Sequence, residues 1–284
     1  MELALGTVQF GVPYGIARKG PLLSDVKVRE ILNLAFKSGT RLLDTAPAYG
    51  DIEQRLARLC AGLDFRIVSK IPPVPSGLND ASAAKWALES ARTSQKRLGQ
   101  MLHALLFHRV EDLLGERGDH VWRAVAEWAK SQQIQIGASG YDANVMRSVI
   151  ENRNLQLAQL PGNAFDQRIK EATTNALDPP SLHLRSAFLQ GLLLLPYDEA
   201  AARLPAARPA LEQWRHWLTL RGMSQIRGAL SVVKGFESVV ACVVGVDNID
   251  QFAQIATTWN LATPISANEL AIDDLQVIDP RLWA

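Results

Sequence analysis

Short apolar runs alternate along the whole chain with longer stretches in which apolar residues return every three or four positions. The first pattern suits buried strands and the second amphipathic helices. Strands are expected at 3–7 (LALGT), 41–45 (RLLDT), 65–70 (FRIVSK), 102–108 (LHALLFH), 134–139 (IQIGAS), 155–160 (LQLAQL), 182–186 (LHLRS) and 239–246 (VVACVVGV). Helical patterns cover 25–38, 51–61, 80–99, 119–132, 142–152, 166–176, 208–234 in two pieces, and 248–258, so each helix follows a strand. Ser24-Asp25, Asn79-Asp80 and Asp247-Asn248 stand where side-chain oxygens cap the first turn of a helix. Repeated strand and crossover helix units imply a parallel sheet. A chain of this length suits one barrel or two modest domains. No composition shift or long linker divides the run, which favours an α/β fold of the (β/α)8 TIM-barrel type, one domain over 1–284. Two strand-to-helix connections are unusually long: IPPVPSGLND after the third strand and QGLLLLPYDEAAARLPAARP after the seventh. Long loops at the carboxyl ends of barrel strands are where ligands are held.

Composition narrows the partners. With 284 residues, 48% of them hydrophobic, the chain can bury one large core. Lysines and arginines number 30 against 29 acidic residues, so there is no basic excess to grip nucleic acid or an anionic membrane, and neither is an expected partner. The run GLLLLP is too short to span a bilayer, and MELALGTVQFGVPYG has no positive segment ahead of a signal-length apolar stretch. A soluble, cytoplasmic protein is expected. Cys60 and Cys242 are too few for a disulfide framework and lack neighbours at metal-ligand spacing; they are read as buried thiols, with no metal site.

Four polar side chains fall at or just past the ends of successive strands: Asp44 after the second, Tyr49 in the loop that follows, Lys70 at the end of the third and His108 at the end of the fourth. Each alone has an ordinary explanation: a turn cap, a turn residue before Gly50, a solvated strand end, a core imidazole. A barrel brings all four to one rim, the face where such folds do chemistry. There the ammonium of Lys70 would draw down the pKa of the Tyr49 phenol, Asp44 would hold Lys70 charged, and His108 would donate to a substrate oxygen gaining charge. The set suits protonation of a carbonyl oxygen while a nucleophile reaches carbon. No activated serine or cysteine is evident, so a hydride from a bound cofactor is the leading nucleophile. A different reading keeps Lys70 as a Schiff-base nucleophile in a barrel aldolase.

The segments LGTVQFG, GTRLLDTAPAYGDIE, VSK, LLFH, IGASGY, LQLAQLPGN, LRSAFLQGLLL and VVGVDNIDQF occur in an order that resembles the aldo-keto reductases, NAD(P)H-dependent barrel oxidoreductases. The resemblance covers nearly the whole chain. It implies a catalytic tetrad of Asp44, Tyr49, Lys70 and His108, with Tyr49 the general acid. It also implies cofactor contacts from Ser139 and Gln159 to the nicotinamide carboxamide, with Asp44, Gly245, Asp247 and Gln251 further along the cofactor. Where many relatives place a tyrosine beneath the nicotinamide ring this chain has Arg185, whose charge would disfavour the oxidised cofactor. Gly140 replaces a family asparagine. The segment GVDNIDQF lacks the cations that would meet a 2′-phosphate, so both NADPH and NADH remain open, with the acidic residues favouring NADH. The implied partner is a small-molecule carbonyl substrate, and TVQFGVPYG is similar to members linked to sugar metabolism, making a sugar-derived substrate one candidate. Val8, Tyr14, Pro73, Tyr141, the loop around Tyr197 and, with less weight, Trp86 are expected to line the pocket. The other tryptophans fall in helical patterns and are read as packing residues. A catalytically weak cofactor-binding regulator, as in potassium-channel β-subunits of this family, is the alternative function. Oligomeric state is not legible in the residues.

Overall fold

The computed structural model describes residues 1–16, 21–173 and 176–283. Eight parallel strands close on themselves in sequence order: β1 (Glu2–Gly6), β2 (Leu42–Asp44), β3 (Arg66–Ile71), β4 (Leu102–Phe107), β5 (Gln135–Ser139), β6 (Leu157–Pro161), β7 (Ser181–Arg185) and β8 (Val239–Gly245). Closure is made by β1, which pairs with β2 on one side and β8 on the other. Around them stand α1 (Asp25–Lys37), α2 (Ile52–Leu59), α3 (Asp80–Leu98), α4 (Gly115–Ser131), α5 (Ala143–Asn152), α6 (Tyr197–Arg203), α7 (Arg208–Arg221), α8 (Gln225–Lys234) and α9 (Ile249–Leu261). No helix among the described residues is long and apolar enough to cross a membrane.

Helix α3 shows how the sequence dictates its packing. The side chain of Asn79 accepts from the Ser82 amide at 2.9 Å, satisfying a first-turn donor that would otherwise lack a partner. Ala83, Ala87, Ala91, Ser94 and Leu98 then recur at helical spacing and are buried, their small side chains letting the helix sit close to the sheet. Ser24 and Asn248 cap α1 and α9 in the same manner.

Strand side chains alternate between the barrel interior and the helix layer. Inside lies a small apolar layer of Ala4, Leu42, Val68, Ala104, Leu106, Leu157, Ala241 and Val243, separate from the larger core between strands and helices. Gly137 admits no side chain at its place in β5, since a Cβ there would fall 1.7 Å from the Leu157 carbonyl oxygen. Two residues further along the strands, the same parity brings Gly6, Asp44, Lys70, His108, Ser139, Gln159 and Gly245 inward at the carboxyl rim. The apolar layer is thus the floor on which the polar layer rests.

Seven of the expected strand and helix pairs are present, with ends shifted by a few residues; α4 starts at Gly115 instead of 119. The helix expected over 166–176 is not an α-helix: after β6 there is only a 3-10 turn, Arg168–Glu171, and residues 174 and 175 lie outside the described set. Asn163 Oδ1 accepts from the amides of Phe165 and Asp166 at 2.9 and 3.0 Å, and Asp166 forks onto Arg168, a local side-chain network in the segment that leads into this turn. Cys60 and Cys242 are buried and free, and burial pushes both thiols up to about 12, leaving them inert.

Candidate active site

β2 is only three residues long and ends on Asp44, whose backbone carbonyl accepts from both the amide and the hydroxyl of Thr7. Its carboxylate points into the barrel. Oδ1 accepts from Lys70 Nζ at 2.6 Å and Oδ2 from Gln159 Nε2 at 2.7 Å, while Ser139 Oγ donates to Gln159 Oε1 at 3.2 Å. Lys70 Nζ also donates to the Thr45 carbonyl at 3.0 Å. A buried chain of side chains therefore crosses the barrel from β3 through β2 to β6 and β5. On its outer face β3 is braced as well: Ser69 Oγ donates to Glu53 Oε1 at 2.6 Å, and Arg97 pairs with the other oxygen of Glu53 at 2.9 Å. Lys70 is thereby fixed from both sides of its strand.

Tyr49 sits in a 3-10 turn, Pro47–Tyr49, that follows β2. That turn presses against Gly11, the last residue of a short helical turn (Val8–Gly11), where a Cβ would lie 1.8 Å from the Tyr49 carbonyl oxygen; only glycine allows the two backbones to meet. The Tyr49 ring meets His108 edge to face with centroids 6.2 Å apart, and Lys70 Nζ lies 5.8 Å from the Tyr49 ring centre. Asp44, Tyr49, Lys70 and His108 thus converge from four chain segments on the wall of one cavity of about 530 Å³.

The electrostatics differ from the expectation in one respect. Burial, reinforced by the Asp44 charge, raises the Tyr49 phenol above its ordinary value; Arg185, not Lys70, is the cation that opposes this. Burial lowers the Lys70 ammonium despite the Asp44 partner, because a fully buried charge loses its hydration. His108 is pushed down to about 4 by burial and by the neighbouring Lys70 charge, so its imidazole is neutral near pH 7. Its Nδ1 has no protein partner. His183, facing the interior below this layer, is likewise pushed to about 4 by burial.

These two histidines give a stability prediction. The unfolded state takes up their protons near 6.5 and the folded state only near 4, so stability is complete above about pH 6.5 and is lost as pH falls through that window. Each contributes a slope of up to about 1.4 kcal/mol per pH unit there. Urea midpoints measured at pH 7 and pH 5 check it: the midpoint should fall on acidification.

The cavity runs from the tetrad past Ser139, Tyr141 and Arg185 to Gly245, Asp247 and Gln251 beside the start of α9. Of the anticipated cofactor residues, Gln159 alone lies beneath the lining, spent on Asp44 and Ser139. Arg185 stacks on Tyr141 at 4.1 Å and donates to the Gly140 carbonyl at 3.0 Å. Of the anticipated pocket residues, Val8, Tyr14 and Tyr141 line the cavity; Pro73, Trp86 and Tyr197 do not. Pro73 lies in a loop tied down by Arg109 and Asp112, Trp86 packs against the core, and Tyr197 lines a separate groove against α7. The expected loop around Tyr197 does reach the cavity, through Gln190, whose side chain bonds Tyr14, and through Leu194 and Leu195; Phe188, just before that stretch, was not anticipated. All belong to the long loop after β7, in which Ser186, Leu189 and Gln190 take left-handed backbone angles (φ 62°, 47° and 53°). Non-glycine residues held this way concentrate at functional sites. Among the described residues no group of His, Cys, Asp and Glu is placed to hold a metal ion.

A closed parallel barrel with a polar cluster at the carboxyl rim and an elongated cavity opening from it is the architecture of a barrel enzyme. The Aldo/keto reductase family model matches residues 2–274, and the chain belongs to that family. The structure is similar to that of an aldo-keto reductase from Bacillus halodurans in its holo form (TM-score 0.69, 20% identity, 95% of this chain and 89% of that one covered). It is also similar to a glycerol dehydrogenase from Gluconobacter oxydans (TM-score 0.67, 18% identity, 98% and 92% covered). No curated protein matches the chain. At these identities the likenesses speak for the fold, and family membership places the chain among the oxidoreductases that reduce carbonyl groups with NAD(P)H.

Proposed function

We propose that the protein reduces an aldehyde or ketone, or oxidises the corresponding alcohol, with Tyr49 as the proton donor to the carbonyl oxygen. The observation that carries this reading is the convergence of Tyr49, His108 and the Asp44–Lys70 pair on one cavity wall. A raised phenol stays protonated at neutral pH, which suits a group that must give up a proton only when an alkoxide forms beside it. His108, neutral and with its ring against Tyr49, donates a hydrogen bond to the same oxygen and orients it. Lys70 and Asp44 supply a fixed dipole behind the phenol. Lys70 is held as an ion pair with two acceptors on Nζ, which favours this role over that of a Schiff-base amine.

The cavity fits a dinucleotide. It is long, reaches from the tetrad to the capped start of α9, and combines polar Ser139, Asp247 and Gln251 with apolar Leu194, Leu195, Ile226 and Ile255. Ser139, Arg185, Gly245, Asp247 and Gln251 would hold it, with Asp44 and Gln159 fixing Ser139 and Lys70 from below. When bound, a nicotinamide cofactor supplies the hydride. Reading the compartment as cytoplasmic and the substrate as a small carbonyl compound, sugar-derived ones included, completes the proposal. The test is oxidation of NADH or NADPH against a panel of aldehydes, ketones and sugars; no turnover with any member would leave only a cofactor-binding role.

Cofactor choice follows from the same wall. Asp247 lines the cavity, and its amide donates to Gln251 Oε1 at 2.7 Å; among the described residues that line this corner there is a carboxylate and side-chain amides and no lysine or arginine. A 2′-phosphate dianion is repelled there, whereas a free 2′-hydroxyl can donate to the carboxylate. NADH is expected to bind at least as tightly as NADPH in a fluorescence titration, and a clear preference for NADPH would contradict the assignment of Asp247.

A further inference from the structure

Among the described residues two cations line the cavity, and only Lys70 has a carboxylate partner. Lys70 is paired with Asp44. Arg185 gives one N–H to the Gly140 carbonyl, and among the described residues no carboxylate lies within 4.0 Å of its guanidinium. The group is nonetheless firmly placed. Its guanidinium carbon lies 4.1 Å from the centre of the Tyr141 ring, and the same ring carries Arg281 at 3.9 Å. Arg281 is neutralised by Asp279 at 2.5 Å; Arg185 has no such counter-ion. Tyr14, bonded through its hydroxyl to Gln190, stands on the same wall. A half-buried, immobilised guanidinium with an open edge is preorganised for a planar anion, to which it can give two parallel hydrogen bonds.

We propose that Arg185, flanked by Tyr14 and Tyr141, binds an anionic group of the carbonyl substrate, a carboxylate or phosphate, so that the cavity selects acidic aldehydes or ketones over neutral ones. This rests on the reductase reading of the same site and narrows its substrate class. Arg185 lines the same cavity as Tyr49, His108 and Lys70, so an anion seated on it shares that cavity with the reacting carbonyl. A neutral sugar satisfies some of the guanidinium's donors but leaves its charge uncompensated. The face of the guanidinium and its edge are different surfaces, so stacking beneath a nicotinamide ring and bonding an anion are compatible.

The test is calorimetric binding of 4-carboxybenzaldehyde and of its neutral methyl ester, with and without the oxidised cofactor NAD+, which cannot reduce them, to the wild type and to Arg185→Gln. A second pair, glyceraldehyde 3-phosphate and glyceraldehyde, reports which anion is preferred. The wild type is expected to bind the charged member of at least one pair about 10- to 100-fold more tightly, and the substitution to bring that ratio close to one. The ratio of kcat/KM values should move in parallel. Equal affinities in the wild type, or a preference that survives in Arg185→Gln, overturn the proposal. So does a loss confined to cofactor binding, which assigns Arg185 to the cofactor alone. Failure of the reductase reading looks different: the acid is still bound preferentially, yet neither aldehyde is turned over.

Discussion

Replacing Tyr49 with phenylalanine is expected to lower the rate of carbonyl reduction at least about a hundredfold, with cofactor affinity and thermal stability close to those of the wild type. The structure separates the two functions of this residue. Its ring makes the edge-to-face contact with His108 and lies 5.8 Å from Lys70 Nζ, and both contacts survive in phenylalanine. Only the hydroxyl is lost, and with it the one proton donor in the cluster whose acidity suits the task. Lys70 is tied to Asp44 and Thr45, and His108 is neutral near pH 7, too weak a donor of a full proton to substitute. The loss should therefore fall on kcat, because the missing interaction is made in the transition state. A direction of change confined to KM, or equal rates in the two proteins, would favour a cofactor-binding regulator. Because the phenol is raised, the wild-type reduction rate should also hold level through neutral pH and fall only in the alkaline range.

The geometry behind this was partly legible in the residues and partly not, for physical reasons. Asp44, Lys70 and His108 declare themselves because strand side chains alternate and strand ends are marked by the change from apolar to polar; parity alone puts them above the Leu42, Val68 and Leu106 layer. Tyr49 is legible by its place after Asp44, but the glycine that seats its turn, Gly11, ends the short helical turn Val8–Gly11 after β1 and is recognised only once the two backbones are seen to touch. The sign of the Tyr49 shift was not legible. Sequence shows which charges can be neighbours, whereas the depth of burial that outweighs them is a property of the folded barrel. The expected sixth helix is replaced by the short turn Arg168–Glu171: apolar spacing over 166–176 suggests a helix, but it does not reveal the local network in which Asn163 bonds two amides and Asp166 forks onto Arg168. Arg281 reaches the cavity edge through Tyr141 from the C-terminal segment, beyond the last strand, where no periodic signal indicates its direction.

Substituting Lys70 with methionine is expected to destabilise the protein by about 3–5 kcal/mol and to abolish most activity, and the two effects can be separated. Lys70 is 2% exposed, and its removal leaves the Asp44 carboxylate buried with Gln159 as its remaining side-chain donor. An uncompensated charge in the barrel interior is the source of the penalty, which places the midpoint of thermal unfolding on the order of 10 °C lower for a domain of this size. Adding Asp44→Asn removes the charge that Lys70 had balanced. An isolated buried pair is often no more stabilising than a neutral replacement, so the double variant should recover much of the lost stability. Activity should not return with it, because the dipole behind the Tyr49 phenol is gone from both variants. Recovery of turnover in the double variant would show that the pair serves only to hold the barrel together. A single variant as stable as the wild type would show that Asp44 takes up a proton without cost, and that the ion pair is not what fixes this layer.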